Sequence, residues 1–219
     1  MLSGMAAYGA HPDNPVHLTE EDFPGGDPLD CYRYAKAELE HCLQWLTRRN
    51  PGLEVTILRP TIIAGANIDN LISWLFSRKL GASLLEHDSL AQQISEEDLA
   101  SAIRLVLHHR ARGTHNIISY DCMPVSEILK RAGMIRLPLP VSLVCWMMDL
   151  LFKIGLSRIS SHWVRQFLYP MVGTSDKLKE ELGRKPINTT EELLEEILRA
   201  VRSRYFATES HGSAPPPAI

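Results

Sequence analysis

The chain has 219 residues, 45% hydrophobic and 22% charged, with a net charge of −3. That is enough apolar content to bury the core of one large domain or one and a half small ones. Without a basic block, nucleic-acid binding has no electrostatic support.

In chain order, Met1 to Met5 has neither the basic nor the long apolar stretch of a secretion signal, which implies a cytoplasmic protein. Residues 1 to 9 read as a strand end and a turn, followed by a loop rich in Pro, Asp and Gly to about Pro28. From Asp30 to Arg49 the spacing predicts a helix capped by Asp30, with Tyr34, Ala35, Leu39, Cys42, Leu43 and Leu46 as its apolar face. Glu54 to Leu58 is a short β-branched run, hence a strand that Arg59-Pro60 stops. A helix is expected over Asn70 to Lys79, and a better one after Ser95-Glu-Glu-Asp98, a capping signal. His108 and His109 lie at that helix's end as solvated groups. His115 to Ser119 reads as a strand. Val125 to Arg131, Pro140 to Ile154, Ser160 to Tyr169, Ser175 to Leu182 and Thr190 to Tyr205 read as helices, the last a solvated terminal one around its Glu and Arg residues. Cys31, Cys42, Cys122 and Cys145 form no C-x-x-C pair and read as reduced core filler. The histidines show no His-x-x-x-His grouping, so no metal site is expected.

The chemistry-bearing motif is Tyr32-x-x-x-Lys36. This spacing puts a phenol and an ammonium on neighbouring turns of one helix face. At ~5 Å and an effective dielectric of ~20, the ammonium favours the phenolate by ~3 kcal/mol. A phenol so assisted is a usable acid/base, and the lysine has donors to spare for a ribose hydroxyl. Alone the motif is weak, because a surface tyrosine beside a solvated lysine has the same spelling.

Context sharpens it. Leu2-Ser-Gly-Met-Ala-Ala-Tyr-Gly9 precedes the helix and Ile57-Leu-Arg-Pro-Thr-Ile-Ile-Ala-Gly65 follows. Gln93 to Ala100, Gly113 to Ile117 and Leu178-Lys-Glu-Glu-Leu-Gly-Arg-Lys-Pro186 complete the series. In this order the segments resemble the extended short-chain dehydrogenase/reductases, the NAD-dependent epimerase/dehydratase type, over about residues 1 to 205. The resemblance implies an α/β fold: a partial Rossmann-type parallel sheet lacking its N-terminal nucleotide-binding half, then a small, mainly helical substrate domain. The division would be 1–120, 121–206 and a disordered tail over 207–219.

The resemblance also implies roles. Tyr32 would be the acid/base and Lys36 its modulator and ribose ligand, both facing a dinucleotide pocket. Pro60, Thr61 and Ile62 would border NAD or NADP. The family's third catalytic group, a Ser or Thr five residues before the Gly of the Tyr-Gly turn, falls on Gly4 here, and Ser3 substitutes only if the strand is bent. A Gly-x-x-Gly-x-x-Gly cradle is absent, which places on the order of a hundred residues of βαβ structure outside the chain. The implied activity is an epimerase, dehydratase or dehydrogenase reaction on a small hydroxyl or carbonyl substrate such as a nucleotide sugar, compromised by that loss, in a chain that could form a homodimer. Two other readings stay open. One is an inactive binding or scaffold protein of the same family. The other is a membrane-associated sterol or lipid dehydrogenase touching the bilayer through 137–154. Asp88, Glu96 and Glu97 could touch a sugar, though surface carboxylates usually do not.

Overall fold

Leu58 organises the sheet: its N–H donates to the Met1 carbonyl at 3.0 Å and its carbonyl accepts from the Ser3 N–H at 2.8 Å. In a parallel ladder alternate residues serve opposite neighbours. The same strand, β1 (Thr56–Pro60), therefore pairs on its other edge with β6 (Gly113–Ile117), Leu58 opposite His115. The computed structural model describes residues 1–28, 30–65, 80–85, 87–156, 160–161, 164, 168–169, 171–201 and 203. Among them, Met1–Ser3 pairs with β1 alone.

Three further pairs complete the described strands. β2 (Ile62–Ala64) runs parallel to β5 (Gln93–Ser95), and β3 (Leu80–Leu84) runs parallel to β8 (Ile135–Leu139). β4 (Leu90–Ala91) is antiparallel to β7 (Met123–Pro124). The helices are α1 (Cys31–Arg49), α2 (Glu96–His109), α3 (Val125–Arg131), α4 (Val141–Lys153), α5 (Asp176–Leu182) and α6 (Thr190–Val201). The α/β class with parallel strands is the one expected from the sequence.

Two cores hold most of the buried apolar side chains. Leu58, Ile94, Leu99, Ala102, Val106, Ile117 and Leu178 fill the space between sheet and helices. Met123, Ile128, Leu129, Leu193, Leu194, Ile197, Leu198 and Val201 join α3 to α6. The caps follow their sequence signals. Ser95 Oγ accepts from the Asp98 N–H at 2.9 Å at the start of α2, and Asp30 does the same work for α1.

Several expectations are corrected. The inward face of α1 is Arg33, Ala37 and Glu40, while Tyr34, Leu39 and Trp45 point outward; polar partners beneath the helix, described below, outcompete the apolar stripe. α6 is no solvated helix, because Leu193, Leu194, Ile197, Leu198 and Val201 are buried beneath its Glu/Arg face. Pro60 is the last residue of β1 and not its stop. On the register of Leu58, its missing N–H would point toward the Met1–Ser3 edge, so the bonds to β6 are untouched. None of the four cysteines is core filler: Cys31 and Cys42 are exposed, Cys122 and Cys145 half-buried. The helix expected over Asn70–Lys79, most of Ser160–Tyr169 and the tail over 207–219 lie outside the described residues.

Candidate active site

The site is built on the first turn of α1 and the end of the Met1–Ser3 strand. Asp30 receives the N–H groups of Tyr32 (3.0 Å) and Arg33 (3.3 Å), so the residues that start the helix also aim Tyr32. Lys36, one turn on, places Nζ 5.5 Å from the Tyr32 ring centroid and donates from it to the Leu2 carbonyl at 3.3 Å. The predicted pair is thus brought together at the strand end.

The expected enclosure is not there. Tyr32 is 59% exposed and Lys36 half-buried, and the pair faces outward. A groove of about 320 Å³ opens beside the Met1–Leu2 segment, but Leu58, Val106 and Leu107 line it, not Tyr32 or Lys36. The reason is topological: the described residues supply the floor of the site, namely helix and strand end, and no second wall.

Ser3 is committed elsewhere. Its hydroxyl donates to Glu40 on the buried side of α1. Gly4, at the family's hydroxyl position, has extended backbone with φ 175°, and a Cβ there would meet the Pro60 carbonyl at 3.6 Å and the Ala6 nitrogen at 3.8 Å. These are ordinary contacts, so the strand has room for a side chain that it lacks. Of the other expected residues, Pro60 is buried next to Gly4, the Thr61 hydroxyl donates to the Gln92 carbonyl at 2.9 Å, and Ile62 is exposed at the start of β2. Asp88 is bound to Ser126, accepting from its N–H at 2.9 Å and its hydroxyl at 2.6 Å.

Beneath the pair runs a buried polar network. Arg59 donates to Glu40 through Nε (3.0 Å) and a terminal nitrogen (2.6 Å), with its guanidinium over the Tyr8 ring at 4.3 Å. The Tyr8 hydroxyl shares its hydrogen between the Thr19 carbonyl (2.7 Å) and Asn116 Oδ1 (2.9 Å). Glu20 accepts from the Asn116 N–H at 2.7 Å. Burial pushes the Tyr8 phenol up to about 12, so it stays protonated. Burial also raises Glu20, against the pull of the Asn116 N–H. For Arg59 burial opposes the charge, yet the hydrogen bonds of Glu40 win and hold its pKa above the ordinary value. Arg33 is buried beside Tyr32, 3.4 Å from Asp30, and donates to the Met171 sulfur at 3.0 Å. Burial lowers its pKa, with Asp30 and Asp27 opposing.

Sequence reasoning missed Glu40, Arg59, Arg33 and Asn116. One signal was available: Arg33, Ala37 and Glu40 recur at helical spacing, a charged face that only buried partners could require.

Comparisons place these features among known proteins. The Mycobacterium tuberculosis (strain H37Rv) protein "Uncharacterized protein Rv0501" is 28% identical over 211 residues, 91% of this chain and 53% of its own length. The chain therefore spans about half of that relative. A dTDP-glucose 4,6-dehydratase from Bacillus anthracis, solved with NAD, superposes with TM-score 0.66 at 17% identity, covering 93% of this chain and 61% of the other. A UDP-glucose 4-epimerase from Thermus thermophilus, also solved with NAD, gives TM-score 0.66 at 18% identity, with 93% and 63% covered. At these identities the likeness shows the fold: this chain has the Rossmann-type architecture of such enzymes over about three-fifths of their length. Residues 1–119, carrying the Tyr32–Lys36 helix and strands β1 to β6, match the model of the NAD dependent epimerase/dehydratase family, and this chain belongs to that family.

Proposed function

We propose that this chain carries the acid/base half of an NAD(P)-dependent epimerase/dehydratase-type site acting on a nucleotide-sugar-like hydroxyl or carbonyl. The observation that supports it is the placing of the Lys36 ammonium over the Tyr32 ring at the strand end. Tyr32 would take or return the proton of the substrate hydroxyl at its phenolic oxygen. Lys36, with donors beyond the one given to Leu2, would bind a ribose hydroxyl. These two groups fit a nicotinamide ribose, and the bound dinucleotide would accept or return hydride at the substrate carbon. Pro60 and Ile62 would border it. The named structural neighbours work on dTDP-glucose and UDP-glucose, which supports a nucleotide-sugar class. The outward apolar residues Leu39 and Trp45 of α1 support a homodimer.

One observation favours a second reading. With Ser3 bonded to Glu40 and Gly4 in the hydroxyl position, the third catalytic group is missing, as in a binding or scaffold protein of the family.

Titration of the purified chain with NADH and NADPH, followed by nicotinamide fluorescence, separates the two. The enzyme reading expects saturable binding that Lys36→Ala weakens about ten- to hundredfold, the range for charge-assisted hydrogen bonds. Tyr32→Phe would retain binding and lose turnover of UDP-glucose or dTDP-glucose. Absence of binding at saturating cofactor leaves the scaffold reading standing and ends the first.

A further inference from the structure

The two edges of β6 are closed in different ways. Toward β1 the partners are backbone: the Gly113 N–H donates to the Val55 carbonyl and the Ile117 carbonyl accepts from the Thr61 N–H, both at 3.1 Å. Alternate residues of a parallel strand serve opposite neighbours, so Thr114 and Asn116 face away from β1. There the partners are charged side chains. Glu20 accepts from the Asn116 N–H at 2.7 Å, and Lys177 of α5 donates to the Thr114 carbonyl at 3.0 Å.

Glu20 arrives on a short segment laid over that edge. The Leu18 N–H donates to the Val172 carbonyl and the Leu18 carbonyl accepts from the Thr174 N–H, both at 2.9 Å. The Tyr8 hydroxyl donates to the Thr19 carbonyl at 2.7 Å, and Leu18 is buried with Met5, Tyr8 and Ile118. His17 and Glu21, on either side of the segment, are exposed. Val172–Thr174 is fixed a second time, because the Gln92 amide accepts from the Gly173 N–H at 2.9 Å and donates to the Gly173 carbonyl at 3.3 Å. When the contact opens, Leu18–Glu20 is therefore the side that leaves.

The charge of Glu20 is the weak point of the closed arrangement. Burial outweighs the pull of the Asn116 N–H, Lys177 and Arg59, and holds the carboxyl above its ordinary 4.5. Both cations are committed elsewhere, Lys177 to the Thr114 carbonyl and Arg59 to Glu40, and Tyr8, the remaining titratable neighbour, stays protonated. A carboxyl that is easier to protonate in place than in water favours closure when neutral and release when ionised. The neutral acid still has a carbonyl oxygen for the Asn116 N–H.

We propose that Leu18–Glu20 is a strap across the edge of β6 that faces away from β1, fastened when Glu20 is protonated and loosened when it is ionised. Release gives the Asn116 N–H to water and frees Leu18 from Val172 and Thr174. Neither Tyr32 nor Lys36 takes part.

Amide exchange of the full chain, followed by NMR across a pH series and expressed as protection relative to the unfolded-chain rate, tests it. Protection at Leu18, Asn116 and Thr174 is expected to fall as the pH rises from 4.5, by up to about tenfold per pH unit. Val106, in the core beneath α2, should not follow. Glu20→Gln keeps an acceptor and removes the charge, so protection at the strap should stay high at every pH. Lys177→Met should carry the fall to higher pH, because a cation that favours the ionised form is gone. Strap protection that is flat with pH in the parent chain overturns the proposal, as does an unchanged fall in Glu20→Gln or an unmoved one in Lys177→Met. A fall shared by Val106 would report unfolding of the whole chain and would overturn it too.

Discussion

The Arg59 guanidinium holds the Glu40 carboxylate at 2.6 Å with neither side chain reaching water. This contact joins β1 to the underside of the helix that carries Tyr32 and Lys36, and Ser3 donates to the same carboxylate from the neighbouring strand. Three elements of the site are thus tied at one buried point. A charge pair away from water is costly to break from one side, because the remaining partner loses its compensation and regains no solvent.

Glu40→Ala is therefore expected to cost about 3–5 kcal/mol of unfolding free energy, read from urea denaturation. The double variant Glu40→Leu/Arg59→Met should lose much less than the sum of the two single changes, since it leaves no buried charge behind. A Glu40→Ala loss below about 1 kcal/mol would show that the pair does not hold these elements together.

Gly4 and Gly9 flank the same short turn, Met5–Tyr8, and should respond oppositely. Gly4 has extended backbone and open space for a Cβ, so Gly4→Ala is expected to stabilise by about 0.4–1 kcal/mol through the unfolded chain. Gly4→Ser should be tolerated equally and restores a hydroxyl where the family carries one. At Gly9 φ is 79° and ψ 162°, and a Cβ would collide with the Gly26 carbonyl and the His11 ring. Gly9→Ala should then lose at least the roughly 1–3 kcal/mol of that glycine-only backbone region. Thermal melts of the three variants check the contrast, and equal melting temperatures would contradict it.

His115 gives the stability a pH dependence of known sign. It is fully buried opposite Leu58, and burial lowers its pKa from 6.5, with Lys177 adding to the effect and Glu181 opposing it. Its 3.8 Å approach to Glu181 is therefore a contact of a neutral ring. Below pH 6.5 the unfolded chain takes up a proton that the folded chain refuses. Stability from this group is full above that pH and is lost as the pH falls toward the folded value, at up to about 1.4 kcal/mol per pH unit. Denaturation midpoints across this range should fall less steeply in His115→Leu than in the parent chain. Identical slopes would mean that the histidine does not titrate differently on folding.

Local signals were legible wherever one short segment contains its own physics. Asp30 and Ser95 cap helices because each side chain reaches N–H groups two or three residues on. The α3 boundaries, Val125–Arg131, follow directly from apolar spacing. The Tyr32–Lys36 pair is of the same kind, since a helix turn alone sets its geometry. β2, β3, β4, β5, β7 and β8 escaped notice because two- to five-residue strands owe their existence to a distant partner, as Ile62–Ala64 does to Gln93–Ser95.

What the amino-acid order settled without help is the family, together with the helices α1 to α6 and the spacing that brings Lys36 beside Tyr32, which are products of contacts between residues a turn or two apart. The tertiary structure alone decided which face of α1 turns inward, because the burial of Glu40 depends on Arg59, 19 positions away and on another element. It likewise decided that Ser3 bonds to Glu40, that α6 is part of the core and that Tyr32 stands in the open. Each of these depends on what lies across the fold from a residue, and the free energy of burying a charge is set by that neighbour and not by the sequence on either side.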